Sequence, residues 1–158
     1  MIVFRLSKGK NREDLSGKGA EIYGGRWNSK GTALLYTSQS RALAFAEVST
    51  HIPFGIVPKD YFLVSVQIPD KGSILQWKEV DLPVDWRSNP HSDSTQRIGD
   101  EFVAGLKYLT LRVPSAVVPG DFNYLINPVH PLMSEVKIVE AEPFEFDSRF
   151  ARRGGKRG

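Results

Sequence analysis

The residues best suited to chemistry gather in one stretch, residues 24–48, which reads GGRWNSKGTALLYTSQSRALAFAEV. Arg26 follows paired glycines, Trp27 adjoins it, Tyr36 lies on a short apolar run, and Glu47 falls among alanines and leucines. An arginine offers a rigid fork of N–H donors that matches a phosphate or carboxylate, or that can bond turn carbonyls. The neighbours of Glu47 one helical turn away are Leu43, Ala44, Thr50 and His51, so no lysine or arginine supplies the usual intrahelical ion pair. Such a glutamate is either solvated, at the edge of a buried face, or partnered from elsewhere, with Arg26 or a ligand as candidates. Trp27 and Tyr36 have an equally ordinary reading as core residues with a polar tip.

Other chemistries find little support. The sequence holds no P-loop and no HExxH motif, and its three histidines, His51, His91 and His130, are not at metal-ligand spacing. No zinc or other metal is therefore expected, and His130, between Val129 and Pro131, reads as structural. The GKGAEIYGG run is too irregular for a dinucleotide fingerprint and lacks a clean βαβ setting.

Several elements must position these side chains. Gly24 and Gly25 read as a bend, residues 28–31 as a turn, 33–37 as a strand, and 39–50 as a helix capped by Ser38 or Ser40. Strands are expected at 2–6, 61–68 (YFLVSVQI), 74–77, 108–113, 122–126 and 135–143. Ile98, Phe102, Val103 and Leu106 are spaced for a helix over 95–107, with Ser94 as its cap, and the proline-bearing stretch 82–92 reads as an ordered loop. Strands outnumber helices and do not alternate with them regularly, which argues for an α+β fold.

With 158 residues, the chain can build one domain with a sizeable core. It has no cysteine, which excludes disulfides and thiolate metal sites. No apolar run approaches a membrane span, the first residues lack a signal-peptide core, and a cytoplasmic location is expected. The net charge of +3 comes from the C-terminus: Arg149, Arg152, Arg153, Lys156 and Arg157 leave residues 1–148 with 16 basic against 18 acidic groups. A basic tail on a mildly acidic body argues against a nucleic-acid-binding domain, although an arginine–glycine tail could itself bind RNA. Residues 151–158 (ARRGGKRG) are expected to form a disordered tail, leaving 1–150 as the folded domain.

The 24–48 stretch, the run LRVPSAVVPGDFNYLINPVHP (111–131) and PFEFDSRF (143–150) together resemble the RES-domain family, toxins of bacterial toxin–antitoxin pairs. The resemblance spans nearly the whole chain, with one departure: Phe102 stands where a tryptophan is expected. It implies a RES domain over 1–150 with the split-sheet fold of ADP-ribosyltransferase toxins, in which two small sheets clasp NAD. It further implies cleavage of the nicotinamide–ribose bond of NAD by hydrolysis or phosphorolysis, with mono-ADP-ribosylation of a protein as the alternative. In that scheme Glu47 holds the ribose and stabilises developing positive charge, Arg26 binds a phosphate, and Tyr36 borders the nicotinamide. Ser115 bonds Glu47 or substrate, unless it only caps its turn, and Trp27 and Asn127 are candidate substrate contacts, Asn127 otherwise fixing the loop before Pro128. The implied partner is an Xre-like antitoxin in a heteromeric complex, with nucleic acid reached only through it. A purely structural role as a partner of another protein is the remaining class.

Overall fold

The computed structural model describes residues 1–150, and the expected basic tail lies outside the described residues. Seven strands form one mixed sheet: β1 (Ile2–Lys8), β2 (Leu35–Ser38), β3 (Tyr61–Gln67), β4 (Ile74–Gln76), β5 (Thr110–Pro114), β6 (Phe122–Ile126) and β7 (Lys137–Phe144). Their order is β4-β5-β6-β2-β1-β3-β7, all antiparallel neighbours except β4 with β5. Three α-helices accompany them: α1 (Lys18–Tyr23), α2 (Arg41–Ser49) and α3 (Asp93–Gly105). This is the α+β architecture that the strand-rich pattern predicts.

The sheet is nearly two sheets. β1 pairs with β3 along its whole length, from Ile2↔Gln67 to Lys8↔Tyr61, but it meets β2 only at Phe4↔Ser38. Strands β1, β3 and β7 thus make one half-sheet, and β4, β5, β6 and β2 the other. Helix α2 packs on β1 and β2, directly over that joint.

The apolar packing falls into three clusters. Trp27, Leu34, Leu82, Trp86, Phe102, Val103, Leu111, Val113 and Leu125 form one cluster, joining α3 and the ordered 82–92 loop to β5 and β6. Val3, Leu35, Val64, Val66, Ile68, Leu109, Ile126 and Val136 form a second that joins β1 and β3 to β2 and β6, and Leu6, Ala44, Leu63 and Phe146 a third beneath α2. Burying large aliphatic and aromatic side chains from both halves ties them together at roughly 1.5–3 kcal/mol per side chain.

Helix boundaries follow local chemistry. The Ser40 hydroxyl accepts from the Leu43 N–H at 3.0 Å, so Ser40 rather than Ser38 caps α2. Helix α3 buries Thr95, Gly99, Phe102 and Val103, a stripe at helical spacing. Ser94 does not cap it: the cap position falls to Ser92, and the Ser94 hydroxyl donates instead to Asp85 at 2.7 Å. The sequence pattern also misses α1, whose six residues contain no buried side chain and so carry no apolar stripe.

Among the described residues no helix is long and apolar enough to cross a membrane. Nor do three or more His, Asp or Glu side chains there come together as a metal-binding group.

Candidate active-site cleft

A two-lobed cleft opens where the half-sheets part. The smaller lobe, about 310 Å³, runs toward β1 and is lined in part by Phe4, Arg5, Leu6, Leu35 and Ala44. The larger lobe, about 710 Å³, holds Tyr23, Arg26, Arg87, Asn89 and His91. Both volumes lie in the range of small-molecule sites. Tyr36, Glu47, His51 and Asn123 line both lobes and therefore mark their junction.

Glu47 is held at that junction by two side-chain hydrogen bonds. Its Oε1 accepts from the Ser115 hydroxyl at 2.7 Å and from the Asn123 side-chain N–H at 2.6 Å. Its Oε2 accepts no hydrogen bond from the described residues, leaving that oxygen for the cleft. The partner inferred from the missing intrahelical ion pair therefore exists, but it is this hydroxyl–amide pair and not Arg26.

Ser115 is fully buried and does two jobs at once. While donating to Glu47, its oxygen accepts the N–H groups of Val117 and Val118 at 3.1 and 3.0 Å. The turn-capping and glutamate-binding readings of this serine are thus both realised, and the oxygen that reaches Glu47 is fixed by the bend after β5. Asn123 is fixed as well, its Oδ1 accepting from the buried Ser38 hydroxyl at 2.8 Å.

Arg26 reaches the larger lobe from the loop after α1. The two N–H groups on Nη1 bond the Trp86 and Ser88 carbonyls at 2.8 and 2.9 Å, so part of the guanidinium is structural. Nε and Nη2 are left without a partner among the described residues, three donors of the five an arginine carries. Partial burial draws the guanidinium below its ordinary pKa, and the charge of Glu47 opposes that shift without a salt bridge between the two.

Tyr36 is held by its hydroxyl, which accepts from the Trp27 N–H at 3.0 Å and donates to Asn28 Oδ1 at 2.7 Å. Burial pushes this phenol well above the usual tyrosine range, so it is neutral at any physiological pH. Asn28, fully buried, then ties Ala20, Ser29 and Thr32 through its side-chain N–H groups. Close approach also locks this corner. A Cβ on Gly25 would lie 2.6 Å from the Tyr36 hydroxyl, and one on Gly99 would lie 1.5 Å from the Trp27 carbonyl, so α3 can pack there only as glycine.

Not every candidate reaches the cleft. Trp27 borders the larger lobe, but it is 3% exposed and packs in the α3 cluster, acting as the anchor of the Arg26 loop. Asn127 is fully buried, with its side chain donating to the Val103 carbonyl at 3.1 Å and accepting from the Val129 N–H at 3.1 Å. It fixes the turn before Pro128, and the structure does not bring it among the cleft residues. His130 is structural too, its Nδ1 accepting from the Leu132 N–H.

Asn123 and His51 escape the sequence reading. A polar residue interrupting the FNYLI strand is the one signal for Asn123; His51 lies four residues beyond Glu47, where a helix returns to the same face.

The family model described as "RES domain" matches residues 2–147. A protein of a Sphingobium species named "Prs ADP-ribosylating toxin" is 37% identical over 145 residues, covering 89% of each chain. A Yersinia enterocolitica protein named "Toxin Res" is 38% identical over 135 residues, covering 85% of this chain and 88% of that one. Among solved structures, a chain of the M. tuberculosis MbcT–MbcA toxin–antitoxin complex superposes with a TM-score of 0.70 at 18% identity, covering 96% of this chain and 87% of that chain. That likeness shows a shared fold.

Proposed function

The chain belongs to the RES domain family, and from that premise we propose that it is the toxin of a toxin–antitoxin pair, consuming NAD by cleaving its nicotinamide–ribose bond. The observation that carries this reading is Glu47: one carboxylate oxygen is fixed by Ser115 and Asn123 and the other is left free at the junction of the lobes.

The chemistry follows from that placement. The C–N bond breaks with its electron pair leaving on nicotinamide, which becomes a neutral amide-bearing pyridine, and positive charge develops on the ribose as an oxocarbenium ion. A carboxylate pre-positioned beside that carbon stabilises the charge as it forms, at no reorganisation cost. The free Nε and Nη2 donors of Arg26 grip the diphosphate, and Tyr36 borders the nicotinamide end. An acceptor then adds to the ribose carbon and gives up its proton. Water yields ADP-ribose, and inorganic phosphate yields a phosphorylated ADP-ribose.

A second reading takes a protein side chain as acceptor, giving mono-ADP-ribosylation; the name of the Sphingobium relative favours it. One experiment separates these outcomes. Purified protein is incubated with NAD alone, with phosphate, and with cell extract, and the products are identified by mass spectrometry. Free ADP-ribose or its phosphate ester supports NAD degradation, and ADP-ribose covalently on protein supports transfer. Intact NAD in all three would overturn both readings.

A toxin that drains NAD needs an inhibitor that closes the cleft. The reading is therefore of a cytoplasmic enzyme paired with an Xre-like antitoxin that inserts a segment near Arg26 and Tyr36, with DNA contacted only through that partner. The superposable chain comes from a toxin–antitoxin complex, which supports a partner of that kind. A structure of the pair with Arg26 and Tyr36 fully accessible would contradict it.

A further inference from the structure

Four of the five tyrosines are half-buried and packed, whereas Tyr23 is 79% exposed. It lies at the C-terminal end of α1 and lines the larger lobe together with Arg26, Arg87 and His91. Its backbone is nonetheless held in place. The Gly24 N–H closes α1 on the Ala20 carbonyl at 2.8 Å, the Gly31 N–H bonds the Glu21 carbonyl at 2.8 Å, and Asn28 bonds the Ala20 carbonyl at 2.7 Å. Gly24, at φ 71°, then ends the helix two residues before Arg26. The result is an aromatic ring on a fixed base at the side of a cleft, with no packing role in the fold.

The layout of the lobes says what such a ring is for, taking the reading of an NAD-consuming site as given. Glu47 sits at the junction, so the ribose carbon that reacts belongs there. Arg26 lines only the larger lobe, so the diphosphate extends into that lobe and the second nucleoside follows it. Among the residues beyond Glu47 in that lobe, Trp27 is buried and Tyr23 presents an open aromatic face. We infer that Tyr23 is the adenine-stacking residue of this site, a specificity determinant that favours dinucleotides over mononucleotides. A purine is a flat, weakly hydrated π-surface, and stacking on one exposed ring gives it a binding contribution independent of the reacting end.

The test uses two ligands, one that carries adenine and one that does not. ADP-ribose carries adenine; nicotinamide mononucleotide carries the reacting ribose and one phosphate but no adenine. Binding of each is measured by calorimetry for the wild-type chain, Tyr23→Ala and Tyr23→Phe. Tyr23→Ala should weaken ADP-ribose about tenfold, the scale of one base–aromatic stack. Tyr23→Phe should stay within about twofold, because the ring and not the hydroxyl does the stacking. Mononucleotide affinity should change with neither.

An unchanged ADP-ribose affinity in Tyr23→Ala, or equal weakening of both ligands, overturns the inference. NAD turnover by the same proteins separates it from the reading beneath it. Tyr23-dependent binding of ADP-ribose without NAD cleavage would remove the catalytic reading and leave the stacking site standing. Cleavage with Tyr23-independent binding would remove the stacking site alone.

Discussion

Glu47 hangs from α2 over the joint of the two half-sheets, and groups in and just beyond the strands hold it: Asn123 within β6 and Ser115 in the bend after β5. Arg26 hangs from a loop, held by two carbonyls of another loop, Trp86 and Ser88, and indirectly by Gln96 of α3, which donates to the Gly25 and Asn28 carbonyls at 3.1 and 3.2 Å. One side of the cleft is therefore built on hydrogen-bonded sheet and the other on loops pinned to a helix. The difference suits the division of labour proposed above. A group that must meet a short-lived charge needs a fixed oxygen, while a group that grips a diphosphate in ground and transition state alike can stand on softer ground.

The largest expected effect lies on the sheet side. Glu47→Gln keeps the size and removes the charge, and should lower kcat by ~10²-fold or more while changing NAD affinity little. Steady-state NAD loss, with folding checked by circular dichroism, measures it. A change confined to KM would erase the proposed distinction between the two sides.

On the loop side, Arg26→Ala should act mainly on KM, raising it about 10- to 100-fold if charge-assisted bonds of roughly 1.5–3 kcal/mol are lost. Arg26→Lys should recover only part of that, since a point charge cannot replace a fork that also holds two carbonyls. Full rescue by lysine would show that charge alone matters there.

Asn123→Ala and Ser115→Ala should behave as milder versions of the Glu47 change, lowering kcat about tenfold by freeing the carboxylate. They should differ in stability. Ser115→Ala also strands the Val117 and Val118 N–H groups, costing about 1–3 kcal/mol if they stay dry. Urea midpoints beside kinetics separate the two, and a Ser115→Ala protein with unchanged stability would mean that water reaches that bend.

The smallest effect is a pH dependence. The pKa of Tyr36 is raised in the folded protein, so its contribution to stability is complete below about pH 10, the unfolded value, and is lost as the pH climbs toward the folded value. Tyr36→Phe should therefore flatten the alkaline fall in stability above about pH 10. At neutral pH it should cost about 1–3 kcal/mol, because the Trp27 N–H and Asn28 Oδ1 lose their partner. Chemical denaturation at several pH values reads both.

The two sides were not equally legible in the sequence. Glu47 announces itself by what it lacks, a basic residue one turn away, and Arg26 by the paired glycines before it. Local spacing carries both signals. Asn123 reaches Glu47 across 76 residues and Ser115 across 68, and no periodicity encodes such a meeting. The same holds for the fold. The strands at 61–67 and 122–126 follow from β-branched and aromatic runs, but the single Phe4↔Ser38 pairing that opens the cleft is a tertiary fact. Helix α1 was illegible because it buries nothing, and Ser94 looked like a cap because Asp85, its actual partner, is nine positions away. Family resemblance, not residue pattern, supplied the split sheet and the NAD chemistry.

Cleavage at the nicotinamide–ribose bond is read by the appearance of free nicotinamide when the purified chain is mixed with NAD, followed by chromatography beside the folded Glu47→Gln variant. One nicotinamide should be released for each NAD consumed by the wild-type protein, at a rate lower by ~10²-fold or more in the variant. NAD left intact by the wild-type chain, or nicotinamide released equally fast by Glu47→Gln, would contradict it.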